Sequence, residues 1–199
     1  MKSFTNMQAG ALAIRRFMLA VLPMLALIVS ALPFATAPAR AGMAGNLLLP
    51  LGGHKQAPLD FTLRDVMTGK EVRLSSLRGK VVVVNFWSIA CPPCRAEIET
   101  LKDLWKKLKG LDVELITVHV GADANKVRAF MQEKNIDMPV LHDEFENVAK
   151  AWGVMHLPVT YVLDTNGKLA FIAFGARNWK NPQITRLLLT LISPLQGSE

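Results

Sequence analysis

Apolar and polar positions change period along this chain. From Leu59 to Val66 they alternate, the two-residue period of a strand with one buried face. Met67-Thr-Gly69 reads as a turn and Glu71–Leu74 as a short returning strand, so the spacing predicts a hairpin. Ser75–Gly79 predicts a helical turn stopped by glycine. Val81–Phe86 is almost wholly apolar, as a central strand covered on both faces must be. The period then lengthens. In Pro92–Lys109, Ile98, Leu101, Leu104, Trp105 and Leu108 fall on one helical stripe, and Gly110 ends it. Val113–Val120 predicts the next strand. Asp123 can cap a helix running to about Lys134, with Val127, Phe130 and Met131 inward. A short strand at Pro139–Leu141 and a short helix at Glu146–Trp152, ended by Gly153, follow. Val159–Leu163, the turn Asp164–Gly167 and Lys168–Phe174 predict a second hairpin, and Pro182–Ile192 an amphipathic helix.

The order is a β hairpin, then β-α-β-α-β-α-β-β-α. Strand-helix alternation requires crossover connections and a parallel centre, and the late hairpin adds an antiparallel edge. The fold class is α/β, a mixed sheet flanked by helices, in one domain spanning residues 58–195. That length is enough to bury one core.

Composition changes this picture only at the N-terminus. Arg15-Arg16 precede a charge-free apolar run, Phe17–Ala35, followed by Ala37-Pro-Ala-Arg-Ala41. Basic region, apolar region and a small-x-small site make residues 1–41 a secretory signal, with cleavage expected after Ala41. The run is also long enough to span a bilayer, so an uncleaved anchor at residues 17–35 is the competing reading; Pro23 and Pro33 favour the signal peptide. Ala13–Leu19 matches a twin-arginine export signal weakly. Either reading places the domain outside the cytoplasm, in a bacterial periplasm. Residues 42–57, rich in glycine, read as a linker.

The net charge of +7 is inflated by that leader, which holds Lys2, Arg15, Arg16 and Arg40 and no acid. The remainder carries 19 basic and 16 acidic residues, or +3. Lys102, Lys106, Lys107 and Lys109 form a solvated helix face, and the one aromatic among them, Trp105, falls on the apolar stripe, so the charge does not point to nucleic acid.

The chain has two cysteines, Cys91 and Cys94, at a strand-helix junction. Two cysteines cannot make a disulfide framework; at this spacing they suit thiol-disulfide exchange or half of a metal site. A closed zinc site needs about four ligands, and His54, His119, His142 and His156 are not paired at ligand spacing. The redox reading therefore leads. Only a thiolate attacks a disulfide, and a helix N-terminus stabilises one through unpaired N–H groups and partial positive charge. Cys91 would sit at that end, with Pro92 and Pro93 tolerated in the first turn. Cys94, one turn on, would resolve a mixed disulfide. Glu97 follows on the same helix side. It is either a proton acceptor for the resolving thiol or simply an acid favouring a helix N-terminus. Pro158 precedes a strand and suits either a cis or a trans bond. Trp87 reads as core or as a wall of the site.

These residues together resemble the thioredoxin superfamily, and within it the TlpA/ResA-like periplasmic thiol-disulfide oxidoreductases. The likeness covers about residues 57–193. It rests on Asn85-Phe-Trp87, Cys91-Pro-Pro-Cys94-Arg95, Glu97, Leu157-Pro158 and Asp164-x-x-Gly167-Lys168. It implies a thioredoxin fold with an added N-terminal hairpin and a helix-strand insertion after the central βαβ. It implies a redox-active Cys91–Cys94 disulfide, a cis Pro158 facing it, and Leu157 offering backbone to a substrate strand. Trp87, Pro92 and Pro93 would join Leu157 and Pro158 in substrate binding. Glu97 coincides with the acid that relatives keep beside the second cysteine, which favours the proton-relay reading. The sequence departs from the pattern at three places. Asn85 replaces the buried aspartate of cytoplasmic thioredoxins. Ala90 stands where most relatives carry tryptophan. Val159 stands where threonine is common.

The function expected is a disulfide reductant for exported proteins, needing no bound cofactor. Electrons would come from an integral-membrane thiol relay, and the resemblance suggests apocytochrome c cysteines as one substrate. The alternatives are a thiol oxidase using the same residues, a copper metallochaperone or copper-site reductase holding Cu(I) transiently on the two cysteines, and a peroxiredoxin. The peroxiredoxin expects a threonine shortly before its cysteine, where Ser88 is the nearest hydroxyl.

Overall fold

Eight strands form one mixed sheet, and the first of them lies inside the expected linker. The structure is a computed structural model and describes residues 48–50 and 58–192. The expected signal or anchor and most of residues 42–57 lie outside the described residues. Leu49–Pro50 is β1, which pairs antiparallel with a strand near the end of the chain (Leu49 opposite Ile172, Pro50 opposite Phe171). Leu48 beside it is only 2% exposed. These three residues are therefore an edge of the fold, and the linker expectation fails there because Leu48 supplies an apolar side chain to the core.

The predicted hairpin forms from β2 (Thr62–Asp65) and β3 (Glu71–Arg73), followed by a 3-10 turn at Leu74–Leu77. Both strands are shorter than the alternation suggests. The buried Asp65 ends β2: its Oδ1 accepts from Met67 N, Thr68 N and the Thr68 hydroxyl. Its Oδ2 accepts from Val140 N across the sheet at 2.9 Å.

β4 (Val81–Trp87) is buried at all seven positions. It leads to α1 (Pro92–Leu108) and β5 (Val113–Val120), the central βαβ unit. The inserted pair follows as α2 (Ala124–Glu133) and β6 (Val140–Asp143). Asp123 sits at the α2 N-cap, but its carboxylate makes no cap bond and pairs with Lys126 at 3.1 Å instead. A short α3 (Asn147–Ala151), β7 (Val159–Leu163), β8 (Leu169–Phe174) and α4 (Pro182–Thr190) complete the described chain.

The strand order is β1-β8-β7-β4-β5-β6-β2-β3. β4, β5 and β6 are parallel, and every other neighbouring pair is antiparallel. This is the expected α/β arrangement, with the N-terminal hairpin attached beyond β6. Because successive strand residues face opposite ways, β4 feeds two cores. Val81, Val83 and Trp87 pack with Ile98, Leu101 and Leu104 of α1, Val127 and Met131 of α2, and Ile184 and Leu188 of α4. Val82, Val84 and Phe86 pack with Phe61, Leu74, Ala149 and Tyr161 on the other face. Each fully buried leucine or isoleucine of α1 contributes about 1.5–3 kcal/mol, which fixes the helix over the sheet.

Candidate active site

The site is built where β4 stops. Its buried backbone delivers Ser88–Ala90 to the sheet end, where Cys91 N donates to Ser88 O at 3.1 Å and closes a tight turn. The Arg95 side chain reaches back to the Ile89 carbonyl at 2.7 Å, tying the turn to α1. Cys91 is the N-cap of α1, with Pro92 and Pro93 opening it. Because neither proline carries an N–H, the first helical N–H available is that of Cys94, and it points at Cys91 Sγ at 3.3 Å.

Cys91 and Cys94 form a disulfide with their Cα atoms 5.2 Å apart. The two sulfurs differ in access: Cys91 is half-buried, whereas Cys94 is 0% exposed. Once reduced, the outer sulfur lies on the positive end of α1 with one N–H aimed at it, which favours its thiolate. The inner sulfur can be reached only from Cys91. The sequence assigns attacker and resolver the same way.

The opposite wall is the turn before β7. The Leu157–Pro158 peptide is cis, and the Leu157 carbonyl oxygen lies 4.0 Å from Cys91 Sγ. Leu157 is half-buried and Pro158 buried, while Pro92 and Pro93 are exposed. Gly175 N donates to Pro158 O at 2.9 Å, and Gly175 adopts φ +76°, a left-handed conformation suited to glycine. That bend sends the chain from β8 back over α1. Trp87 must be removed from the expected substrate-binding set. It is 0% exposed, packed edge-on against His119 at 5.3 Å and against Phe130 at 6.0 Å. Strand alternation turns it under α1 and α2, away from the site's surface.

One helical turn beyond Cys94 lies a buried polar cluster centred on Glu97, which is 2% exposed. Its Oε1 accepts from Trp179 Nε1 at 2.7 Å and from Arg177 N at 2.9 Å. Its Oε2 accepts from Asn85 Nδ2 at 3.2 Å, and the same Nδ2 donates to the Thr160 hydroxyl at 2.8 Å. Burial pushes the Glu97 carboxyl above its ordinary range, and the donors from Trp179, Arg177 and Asn85 offset part of that rise. A carboxyl held this way, one turn from Cys94, takes a proton more readily than an exposed carboxylate does.

The resemblance singled out Glu97, but not what holds it. Trp179 and Thr160 carried no motif, and the Arg177 contribution comes from a backbone N–H, which sequence does not encode. Val159 marked a missing hydroxyl; the structure supplies one at Thr160, on the opposite face of β7. Thr100 was also unseen. Its hydroxyl donates to Glu97 O at 2.9 Å and accepts from Trp179 N at 3.2 Å, stitching the loop after β8 to α1.

The histidines stand apart from this cluster. His156 is exposed and His54 lies outside the described residues. His119 and His142 face each other across β5 and β6 with ring centroids 5.8 Å apart. His142 Nε2 meets Gly121 O at 2.8 Å, whereas neither ring nitrogen of the buried His119 has a hydrogen-bond partner. Burial, with His142 beside it, pushes His119 down to about 4. Among the described residues, no group of three or more His, Cys, Asp and Glu is placed to hold a metal ion.

Comparison with known proteins agrees with this geometry. The chain is 36% identical over 116 residues to the thiol-disulfide oxidoreductase ResA of Geobacillus thermodenitrificans, covering 58% of this chain and 66% of that protein. It is 34% identical over 116 residues to ResA of Bacillus subtilis, covering 58% and 64%. The matched region thus spans just under two thirds of these relatives' length. A secreted thiol-disulfide isomerase from Corynebacterium glutamicum has the same fold, with a TM-score of 0.64 at 22% identity, covering 75% of this chain and 94% of that one. The AhpC/TSA family pattern matches residues 54–172. With that match lying over the sheet, the Cys91–Cys94 corner and the cis Pro158 turn, the chain belongs to the AhpC/TSA family of the thioredoxin superfamily.

Proposed function

We propose that this protein is a thiol-disulfide oxidoreductase that reduces disulfides of exported proteins. The asymmetry of the Cys91–Cys94 pair carries the reading: one sulfur half-exposed at a helix N-terminus, the other sealed beneath it. The reduced Cys91 thiolate attacks one sulfur of a substrate disulfide and forms a mixed disulfide, and the first substrate sulfur leaves as a thiolate. Glu97 then takes the proton from the Cys94 thiol. Cys94 Sγ attacks Cys91 Sγ, closes the Cys91–Cys94 disulfide and expels the second substrate thiolate. Two electrons pass from the protein dithiol to the substrate, and both substrate thiolates draw protons from water. The Leu157 carbonyl, beside Cys91 Sγ, offers backbone to an extended substrate segment.

The leader at residues 1–41 supports action outside the cytoplasm, where disulfides persist. There the protein is either soluble after cleavage or held to the inner membrane by residues 17–35. Such a reductant must itself be re-reduced, and an integral-membrane dithiol relay is the class of donor that fits that compartment. Apocytochrome c cysteines are one substrate of the right chemistry.

The test is insulin-disulfide reduction with dithiothreitol as electron source. Cys91→Ser should abolish turnover, and Cys94→Ser should accumulate mixed disulfides that resist resolution; equal activity in the two variants rejects the assignment. A Cys91–Cys94 potential near −270 mV marks a reductant, and one near −120 mV reverses the direction proposed.

A further inference from the structure

One buried polar atom beside Glu97 has no partner: Asn85 Oδ1. Its neighbour Nδ2 serves two acceptors, Glu97 Oε2 at 3.2 Å and Thr160 Oγ1 at 2.8 Å. Asn85 is 0% and Thr160 1% exposed, so water does not reach this pair from the surface. An unpaired amide oxygen at such a place carries a desolvation cost of about 1–3 kcal/mol.

The two oxygens of Glu97 are not equivalent. Oε1 receives an indole N–H and a backbone N–H, at 2.7 and 2.9 Å. Both are donors only, so a proton on Oε1 would confront them and find no acceptor. A proton arriving from Cys94 therefore belongs on Oε2. There it meets Asn85 Nδ2, which is also a donor. The carboxylate is well served by this arrangement and the carboxylic acid is not.

An asparagine can relieve this conflict at Oε2, placing its Nδ2 donors where Oδ1 stood unpaired. Its terminal amide has a roughly two-fold torsional preference, and a half-turn exchanges oxygen and nitrogen. The orphan Oδ1 then occupies the Nδ2 position and accepts from protonated Glu97 Oε2. The Thr160 hydroxyl, which both donates and accepts, turns with it and donates to the same Oδ1. Aspartate at this position would offer no donor to the charged state, and an aliphatic residue would serve neither state.

We propose that Asn85 and Thr160 form a reversible hydrogen-bond pair that turns over with each protonation of Glu97 Oε2, making them positioning residues for the resolving step. The proposal rests on the relay role of Glu97 given above. In the charged state the Asn85 amide donates to Glu97 and Thr160; in the protonated state it accepts from both.

The experiment is a pH titration of the oxidised full-length protein in detergent micelles, with nitrogen-15 label in asparagine. The Asn85 side-chain N–H signals should show contacts to Glu97 and Thr160 at high pH, lose them as Glu97 protonates, and titrate with a single midpoint. In Glu97→Gln the glutamine amide mimics the protonated acid, so the Asn85 signals should hold their acid-form positions at every pH. Unchanged Asn85 contacts across the titration, or identical signals in wild type at high pH and in Glu97→Gln, overturn the proposal.

Kinetics separate this from the relay itself. Asn85→Asp should move the pH profile of mixed-disulfide resolution upward by about one unit or more, tenfold in rate on its acid limb. Thr160→Val should move it in the same direction by less. If Glu97→Gln leaves the resolving profile unchanged while the amide still turns, the relay reading fails and the pair stands. If Glu97→Gln shifts the profile while the amide stays fixed, the relay stands and the pair fails. Should Asn85→Asp not fold, the wild-type and Glu97→Gln spectra decide alone.

Discussion

Replacing Trp179 by phenylalanine isolates the strongest single hold on the buried acid. The indole Nε1 donates to Glu97 Oε1 at 2.7 Å, and both groups are shut away from water. A hydrogen bond to a charged group contributes about 1.5–3 kcal/mol, and one to a neutral acceptor about 0.5–1.5. The variant therefore loses about 1–1.5 kcal/mol more when Glu97 is ionised than when it is protonated, equivalent to about one further unit of upward pKa shift. The packing loss from the smaller ring is the same at every pH. The sign follows from Glu97 lying above its unfolded value. Its contribution is full below the unfolded pKa and is lost as pH rises through the folded one. Trp179→Phe should deepen that loss. Urea unfolding of the oxidised protein at pH 4, 6 and 8 measures it directly, without thiol chemistry. The destabilisation should grow by about 1–1.5 kcal/mol from the acid to the alkaline end. A penalty constant within a few tenths of a kcal/mol would show that the indole fills space and does not hold the carboxylate.

Two further outcomes concern the fold. His119 sits in the core at about 4, below the 6.5 of an exposed histidine. The unfolded chain binds its proton first, so stability should fall as pH drops from 6.5 towards 4, by about 3 kcal/mol at most. His119→Phe, which keeps an aromatic ring against Trp87, should flatten that acid limb; an unchanged slope assigns it elsewhere. Leu48→Ala should cost about 2–5 kcal/mol and expose the β8 amides facing β1 to hydrogen exchange. If those amides stay protected, β1 is not anchored by Leu48.

The strands and helices were legible wherever period and punctuation agreed. The strand expected at Val81–Phe86, observed one residue longer, and α1 needed little more than an apolar run, a Cys-Pro-Pro-Cys corner and a terminating glycine. The ends of β2 were not, because Asp65 stops that strand by accepting four bonds, one of them from residue 140. β1 was missed because two residues carry no period at all. In the site, Cys91, Cys94 and Glu97 share one helix and so share a local spacing. Their partners do not: Asn85, Thr160 and Trp179 meet Glu97 from separate elements, and nothing in a linear pattern joins positions 85, 97, 160 and 179. Trp87 shows the reverse error, a residue next to the motif in sequence that strand alternation turns into the core.

The direction of β1 bears on how the protein can be handled. Antiparallel to β8, it begins at the sheet end that carries Phe174, and β7 places Phe174 opposite Val159, beside the cis Pro158 turn. Leu48 therefore stands at the end of the sheet that carries the Cys91–Cys94 corner, three strand spacings, or about 14 Å, from β4. An affinity tag, fluorophore or surface linker attached at Leu48 would share its end of the sheet with Cys91. An inert handle belongs instead at the Asp164–Gly167 turn, where β7 and β8 meet at the opposite end of the sheet.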